Sequence, residues 1–553
     1  MAPLAPLIAS ATAASTRVER PSISTTPLTL PNLLLMSPGP SSPHPRVLAA
    51  AGSPLVGHMH PSLLGAVDDV REWLKYVFQT RNRFTLGVSG SGHAAMESAV
   101  NAVVAPGDVV LVAVNGMWGE RMALLARRHG GDVRTIQAPL GEVFSLSDFA
   151  HALEENPGVS AVFVVHGESS TGTLQPLEGL GKLCHKHGAL LVVDAICTAG
   201  GVPVLMDEWD IDVCYSGSQK CLSSLVSPSP FSMNERARQK LKSKAHQIQT
   251  YYFDMNVAGA FWGVDGKPHV YHHTSLGSNI MAIRAALALV VDEGLESVWH
   301  RHCSLADKLC AGIEELGLEL FVKDPAIRLP TVTTIKVPEG VQWAHVTAYL
   351  MEKYNLEIAG GLGPTVGMGV QWVQVTAYLM EEYHLEIAGG LGPTVGMVTA
   401  YLMENYHLEI ARGLGPTVGM VSVVHWHHGQ KVTIKGTNSV SLTPSIPSLS
   451  SLSSLSSSRL AFQVWRIGIM GNNARPANIA LVLRALKDAL HHIGFLPRPN
   501  PNATASASAT SAAATSTAAA VAATSPAVAA ASAPASKPVA ATATIAAAPI
   551  VVQ

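Results

Sequence analysis

Short apolar runs alternate with amphipathic stretches from residue 65 to about residue 275. Continuous apolar strands that are joined by helices are typical of a parallel sheet covered on both faces. The pattern therefore predicts an α/β fold with a mainly parallel sheet. The predicted strands are Asp108–Val114, Ser160–Val165, Ala189–Val193 and Ile211–Tyr215, and the predicted helices include Arg121–His129 and Leu177–His187.

Beyond residue 275 the pattern predicts helices at Ile280–Glu293 and Leu305–Leu316, and then a strand at Thr331–Val337 of a second domain. A polar, Ser/Leu-rich stretch at about 421–461 predicts a linker, and globular character resumes at Val464. We expect the following segments: an N-terminal arm or targeting segment, 1–30; a large domain, 31–280; a small C-terminal domain, 281–368 with 464–497; an insertion of repeats and low-complexity sequence, 369–463; and a disordered Ala/Ser/Thr/Pro tail, 498–553.

The insertion contains a local triplication. Residues 340–368 recur as 369–397 and, in shortened form, as 398–420. The small domain needs one helix and one strand from this repeat, and we expect the first copy to provide them because it follows the preceding strand by a short connection. The third copy carries Arg412 in place of Gly360, and a large side chain is disfavoured where the chain closes over a small substrate.

Composition excludes several classes of partner. The net charge of −2 and the lack of a long basic run argue against nucleic acid. No apolar stretch reaches the roughly 18 residues of a membrane span, so we expect no membrane partner. The six cysteines form no Cys-x-x-Cys pair, so we expect no metal site.

The first 30 residues bear on the location of the protein. They are rich in Ala, Ser, Thr and Pro and contain Arg17 and Arg20 with one acid, Glu19. Such a segment is either a mitochondrial transit peptide or a disordered arm. The chain does not end in Ser-Lys-Leu, a peroxisomal signal. We expect an intracellular organelle, and the choice between mitochondrion and peroxisome stays open.

Residues that can carry chemistry follow the predicted strands, where ligands bind in such sheets. Asp194 closes an apolar strand, and a buried carboxylate there needs a cation, either a structural Arg or Lys or a protonated pyridine nitrogen. Lys220 follows the next strand and can form a Schiff base with an aldehyde, although a solvated lysine is the usual alternative.

Three further strand ends offer binding groups. The segment 89–93 (SGSGH) opens a helix and suits either an anion or a tight turn. Trp118 offers a flat face to an aromatic ligand or packs in an interface, and the hydroxyl run 166–172 (HGESSTG) suits a polar cofactor or an ordinary turn. Together with Asp194 and Lys220, these are the parts that pyridoxal 5'-phosphate needs: a phosphate cradle, a ring stack, a partner for the ring nitrogen and an amine nucleophile.

Several longer motifs point to a known family. They are LLLMSPGPSSPHPRV, YVFQTRN, SGSGH, NGMWGER, HGESSTGTLQPL, YSGSQK, FWG…YHHT, LFVKDPAIRLPTVTTIKVP and GGLGPTVGM. With these motifs the chain resembles the alanine–glyoxylate (serine–pyruvate) aminotransferases, which are class V aminotransferases. The likeness covers about residues 30–368 and 464–494. It implies the PLP fold type I, with a large domain on a mainly parallel sheet of the seven-stranded type and a smaller α/β C-terminal domain. It also implies pyridoxal phosphate as cofactor, a homodimer with shared sites, and amino transfer from alanine or serine to glyoxylate, which yields glycine and pyruvate or hydroxypyruvate.

The resemblance also implies roles for single residues. Lys220 would bind the cofactor as a Schiff base and shuttle the proton, and Asp194 would keep the ring nitrogen protonated. Trp118 would stack on the ring, and Arg466 would bind the substrate carboxylate. The other residues implied in cofactor binding are Ser91, Gly92, His93 and Gln219 at the phosphate, Ser169 near the ring oxygen, Thr198 where serine is usual, and Tyr271 and Thr274 at the phosphate of the partner subunit.

Two departures from the family pattern leave an alternative open. The loop after Lys220 reads CLSSLVSPSPF instead of a Pro-Pro-Gly turn, and the insertion separates Met368 from Arg466. The alternative is therefore a cofactor-binding chain that is impaired in catalysis.

Two further alternatives are weaker. A cysteine desulfurase needs a late nucleophilic cysteine, and the last one here is Cys310. His425, His427 and His428 suit either a metal or, more simply, a polar surface, because they have no companion carboxylates or thiols.

Overall fold

The computed structural model describes residues 21–244, 248, 250–365 and 463–497, together with the backbone of 408–412, 421–427 and 430–436. The helices are α1 Pro45–Ala51, α2 Pro61–Phe78, α3 Gly92–Val103, α4 Met117–Arg128, α5 Leu146–Glu155, α6 Leu180–Lys186, α7 Glu235–Ser243, α8 Met255–Phe261, α9 Gly277–Glu293, α10 Leu295–Glu315, α11 Trp343–Tyr354 and α12 Pro476–His492. The strands are β1 Leu34–Leu35, β2 Phe84–Val88, β3 Val109–Val114, β4 Asp132–Gln137, β5 Ala161–Val165, β6 Gly167–Glu168, β7 Thr173–Leu174, β8 Leu190–Asp194, β9 Val213–Tyr215, β10 Ser229–Met233, β11 Val332–Lys336, β12 Leu356–Glu357, β13 Ala359–Gly360, β14 Leu408–Arg412, β15 Val421–His427, β16 Gln430–Gly436 and β17 Val464–Gly468.

A seven-stranded sheet organises the larger part of the chain, with strand order β2-β10-β9-β8-β5-β3-β4. Strand β10 runs antiparallel to both of its neighbours, and the remaining pairs are parallel. The central strands β5 and β8 are buried throughout, as their runs of Val and Leu predict. The predicted α/β fold with a mainly parallel sheet is confirmed.

A three-stranded antiparallel sheet, in the order β11-β17-β13, forms the centre of the C-terminal part. Helices α11 and α12 share a buried core with this sheet, in which Trp465, Val346 and Leu350 are fully buried. Helix α11 and strand β13 both come from the first copy of the repeat. Strand β1, near the N-terminus, pairs with β12 of the same copy.

The structure differs from the expected linker after the third copy. Strand β14 pairs with β15, and β15 pairs with β16, in an antiparallel sheet. The sequences VSVVHWH and QKVTIKG explain the difference, because their β-branched residues favour strands and outweigh the polar composition of the longer stretch.

Some predictions fall outside the described residues. They are the N-terminal arm up to residue 20, the second copy of the repeat, His428, most of the Ser/Leu-rich stretch and the tail from residue 498. For His425 and His427 the backbone alone is described, so the two interpretations of these histidines both stay open. In the parts of the chain with described side chains, no helix is both long and apolar enough to cross a membrane.

Candidate active site

The predicted site residues of the large sheet lie along one edge, because its parallel strands end on the same side. Strands β2, β3, β5, β8 and β9 lead into the segments of Ser89, Asn115, His166, Asp194 and Ser216. Sequence alone placed these segments after separate strands. The pairing of β3 with β5, of β5 with β8 and of β8 with β9 brings four of them side by side.

The segment 89–93 leads into α3 through a close approach of the backbone. Helix α3 begins at Gly92, and the hydroxyl of the preceding Ser91 makes no capping hydrogen bond. A Cβ atom at Gly92 would lie 2.7 Å from Ile196 Cδ1, so a side chain there would collide with the residue after the buried strand β8. The first amides of a helix have no partner within it, and together with the helix dipole they favour an anion at this point.

Trp118 is fixed at its backbone and at its ring. Its amide donates to Glu168 Oε2 at 3.0 Å, and its ring Nε1 donates to Ser169 Oγ at 2.8 Å. The imidazole of His93 packs edge-on against the indole at 5.4 Å between ring centres. Burial, and next the nearby Arg121, lower the pKa of His93, which keeps this imidazole neutral.

Glu168 is a buried residue of this site that the sequence analysis does not single out. It is fully buried, and its Oε1 accepts hydrogen bonds from the amide and hydroxyl of Ser170 at 2.9 and 2.6 Å. A Cβ atom at Gly116 would lie 2.5 Å from the Glu168 carboxyl carbon, so glycine is needed there. The signal in the sequence is a charged residue three positions after the end of a buried strand, in a segment that otherwise reads as a run of hydroxyls.

Asp194 ends β8 with 2% of its surface exposed. Its Oδ1 accepts a hydrogen bond from the amide of Ile196 at 2.8 Å. Its Oδ2 makes no hydrogen bond of acceptable geometry in the described part of the chain, and the buried hydroxyl of Tyr215 makes none either. The Asp194 carboxyl and the Tyr215 hydroxyl are nevertheless close enough for each to shift the pKa of the other. Burial raises the pKa of Asp194 to about 7. This carboxyl therefore fits a cationic or protonated ligand atom that the chain itself does not provide.

Lys220 follows β9, and its side chain lies against residues 38 and 39. Its Nζ donates a hydrogen bond to the carbonyl oxygen of Pro38. A Cβ atom at Gly39 would lie 2.5 Å from this Nζ. The sequence interpretation did not anticipate that residues 38 and 39 would cover the lysine. The neighbouring Gln219 has a buried Oε1 with no partner among the described residues.

The unusual loop after Lys220 is held by specific contacts. Ser223 has a φ of 52°, and its Oγ lies 2.9 Å from Ser41 Oγ and accepts the amide of Asn472 at 2.8 Å. Ser227 has a φ of 76°, a region that favours glycine. Its Oγ accepts the amide of Gly90 at 2.9 Å, so the loop reaches the segment that opens α3.

Arg466 lies on β17 and is 7% exposed. Its Nε donates to the carbonyl oxygen of Gly360 at 2.7 Å, and its Nη1 donates to that of Ser169 at 3.2 Å. It makes no ion pair among the side chains that the structure describes, and burial lowers its pKa to about 10. The guanidinium is thus placed beside the Ser169 segment and can receive a carboxylate from outside the chain.

The remaining predicted residues lie in other surroundings. Thr198 is buried, and its hydroxyl lies 3.1 Å from Nδ1 of His166, whose pKa burial lowers to about 3. Tyr271 and Thr274 are exposed on the surface of this chain. The roles that the sequence predicts for all of these residues stay predictions.

Pyridoxal phosphate fits this set of groups. The unpartnered Asp194 Oδ2 suits a protonated ring nitrogen, the start of α3 suits a phosphate, and the indole of Trp118 is held in place by both neighbouring segments. An amine is present at Lys220 for the aldehyde.

Comparisons with known proteins agree with this chemistry. The family model "Aminotransferase class-V" matches residues 46–378, which include every predicted site residue except Arg466. The alanine–glyoxylate aminotransferase of Oryctolagus cuniculus is 45% identical over 339 residues, which are 61% of this chain and 86% of the relative. The (S)-ureidoglycine–glyoxylate transaminase of Bacillus subtilis is 34% identical over 359 residues, 62% of this chain and 85% of the relative. The crystal structure of an alanine–glyoxylate aminotransferase from Nostoc sp. superposes with a TM-score of 0.65 at 35% identity and covers 85% of this chain and 98% of its own.

Proposed function

Because the chain belongs to the class V aminotransferase family and is a pyridoxal-phosphate-dependent transaminase, we propose that it moves the amino group of alanine or serine to glyoxylate. The products are glycine and pyruvate or hydroxypyruvate. Relatives named for two different donors share glyoxylate in their names, so the acceptor has broader support than the donor. A cysteine desulfurase is not favoured.

The proposal rests mainly on two buried charged groups, Asp194 and Arg466. Asp194 Oδ2 has no hydrogen-bond partner, and Arg466 has no ion-pair partner, among the described side chains. When bound, pyridoxal phosphate supplies an electron sink for an ionising Cα–H bond. The carboxylate of Asp194 holds a proton on the ring nitrogen, and Lys220 Nζ takes up the proton from the substrate α-carbon. Arg466 orients the substrate by its carboxylate.

Close approaches of the backbone at two glycines near the site support small substrates. Gly39 lies against Lys220, and a Cβ atom at Gly363 would lie 2.9 Å from Met117 Cβ, next to Trp118. Strand β17 with Arg466 pairs with the first copy of the repeat through β13, so the later copies are not needed to complete this sheet. This pairing favours a working enzyme over the impaired alternative.

We also propose a homodimer in which Tyr271 and Thr274 reach the phosphate of the partner subunit. Tyr271 is 53% exposed and Val270 55% exposed, and Tyr251, Tyr252 and Leu276 are also exposed large side chains near it in sequence. Sedimentation of a dimer that cofactor stabilises is the expected result, and a monomer that binds cofactor tightly contradicts the proposal. We propose that the protein is located in an organelle, either the mitochondrion or the peroxisome, and a fluorescent fusion to residues 1–30 tests this proposal.

Steady-state assay of the purified protein tests the proposed reaction. We expect glyoxylate-dependent pyruvate formation from L-alanine and hydroxypyruvate formation from L-serine. 2-Oxoglutarate replaces glyoxylate as the control acceptor for both donors, and pyruvate does so for L-serine alone, because pyruvate is itself the product formed from L-alanine. Amino transfer to these acceptors without activity on glyoxylate would overturn the proposed substrate and leave the transaminase assignment intact.

A further inference from the structure

Two adjacent histidines connect the segment that opens α3 to the segment of Tyr271 and Thr274. His273 Nε2 lies 2.6 Å from Ser89 Oγ, and His273 Nδ1 lies 2.9 Å from His272 Nδ1. His272 Nε2 lies 3.3 Å from the carbonyl oxygen of Tyr251. These contacts form a continuous hydrogen-bond chain from Ser89 to Tyr251.

The chain can run in one direction when both rings are neutral. The carbonyl oxygen of Tyr251 only accepts, so His272 carries its proton on Nε2 and has a bare Nδ1. His273 then donates from Nδ1 and has a bare Nε2, which leaves Ser89 as the donor. Each of the two histidines is thereby assigned one tautomer, Nε2–H for His272 and Nδ1–H for His273.

The surroundings of His273 favour its neutral ring. His272 is 6% exposed and His273 is half-buried. The titratable side chains described in ring contact with His273 are His272 and Tyr252. Burial, together with His272, lowers the pKa of His273. At pH 7 the ring of His273 is therefore an acceptor for the Ser89 hydroxyl.

Three other polar groups of residues 89 and 90 are bonded from outside the segment. The hydroxyl of Tyr252 donates to the Ser89 carbonyl oxygen at 3.3 Å. Ser227 Oγ accepts the amide of Gly90, and Ser229 Oγ donates to its carbonyl oxygen, both at 2.9 Å. The segment is thus anchored on both sides, and the His273 contact is the anchor that comes from the segment 271–274.

We infer that His273 is a positioning residue of the phosphate site: with His272 as its proton acceptor, it fixes Ser89 as a donor and ties residues 89–93 to the segment 271–274. The inference rests on the proposed function, because Tyr271 and Thr274 are proposed to complete the phosphate site of the partner subunit. Through the contact between His273 and Ser89, the phosphate site of one subunit depends on the segment 271–274, which is proposed to complete the phosphate site of the partner subunit.

Cofactor titration of the apoprotein tests this inference. The variants are His273→Phe, which keeps an aromatic ring, His273→Gln, which keeps a polar group near Nε2, Ser89→Ala, and the double variant His273→Phe/Ser89→Ala. His300→Gln on the exposed side of α10 is the matched control. The readout is the dissociation constant of pyridoxal phosphate, followed by quenching of tryptophan fluorescence. Nitrogen-15 NMR of histidine-labelled apoprotein reports the tautomers.

We expect His273→Phe and Ser89→Ala each to weaken cofactor binding about tenfold, the double variant to be no weaker than either, and His273→Gln to restore part of the affinity. The NMR signal lost in His273→Gln should be that of an Nδ1–H tautomer. Wild-type affinity in Ser89→Ala, additive losses in the double variant, or an Nε2–H tautomer at His273 would each overturn the inference. If His273→Phe does not fold, Ser89→Ala and the tautomer decide. A wild-type protein that binds cofactor but does not use glyoxylate contradicts the proposed reaction and leaves this comparison of affinities valid.

Discussion

Two buried carboxylates lie at neighbouring strand ends of the large sheet, and they differ in how the chain satisfies them. Glu168, after β5, accepts hydrogen bonds on both oxygens from Trp118 and Ser170. Asp194, at the end of β8, accepts one on Oδ1 and has an unpartnered Oδ2 within the described residues. Burial raises the pKa of both. Glu168 is therefore part of the scaffold, whereas Asp194 needs a ligand to complete its hydrogen bonding.

The largest expected difference between the two carboxylates is in the kcat of the variants that replace them. Asp194→Asn keeps the shape of the side chain but removes the charge that holds the ring nitrogen protonated, so we expect bound cofactor and a loss in kcat on the order of 100-fold or more. Glu168→Gln should keep at least about a tenth of the activity, because its carboxylate does not contact the reacting atoms. Equal kcat in Asp194→Asn and wild type would give this carboxylate a structural role instead.

The second largest effect is expected in how the stability of the apoprotein depends on pH when Asp194 is replaced. Asp194 has a pKa of about 7 in the folded chain and an ordinary value near 3.8 when unfolded, so its contribution to stability is lost as the pH rises between these values. The loss amounts to at most about 4 kcal/mol. Apo Asp194→Asn should therefore gain in melting temperature relative to the apo wild type as the pH rises from 5 to 8. The lowered pKa values of the buried His166 and His302 affect both proteins alike. A constant difference across this range would show that Asp194 is already paired.

Glu168→Gln should act on stability and on Trp118. The amide nitrogen of glutamine would face donors, so we expect a loss of about 2 kcal/mol in the free energy of unfolding. The Trp118 ring should also loosen, with altered cofactor-induced quenching of its fluorescence. Glu154→Gln, on the exposed face of α5, is the matched control. An unchanged free energy of unfolding in Glu168→Gln would show that the Glu168 carboxylate does not stabilise the fold.

The apolar runs predicted the core of the sheet but not all of its strands. Strand β10 reads SPFSM, with a proline and serines in a fully buried position, and β4 is an edge strand with largely exposed residues. Neither has the composition from which buried strands are predicted. At the site, Asp194 was evident from the sequence because it ends an apolar run. Glu168 also follows an apolar run, but its role depends on donors from Trp118 and Ser170, and the contacts of His273 and of the Pro38 carbonyl join segments that are far apart in the sequence.

Deletion of residues 369–463 should have the smallest effect. The first copy already supplies α11 and β13, so the shortened chain should fold, dimerise and be at least as active, since closing a longer loop costs little per added residue. Gly360→Arg in the shortened chain mimics Arg412 of the third copy. It should be destabilised, because a Cβ atom at Gly360 would lie 2.8 Å from the Trp343 ring. Loss of folding on deletion, with an active full-length chain, would make the later copies structural.

The site itself is tested most directly by locating the covalent link to the cofactor. The holoprotein is reduced with borohydride, digested and examined by mass spectrometry. We expect one pyridoxyl group, on Lys220, in wild type and in Asp194→Asn, and none in Lys220→Ala. The Lys220→Ala variant should still bind cofactor through its other contacts but lose transamination by orders of magnitude. A pyridoxyl group on another lysine of the wild-type protein, or full activity in Lys220→Ala, would contradict the assignment of this strand edge as the active site.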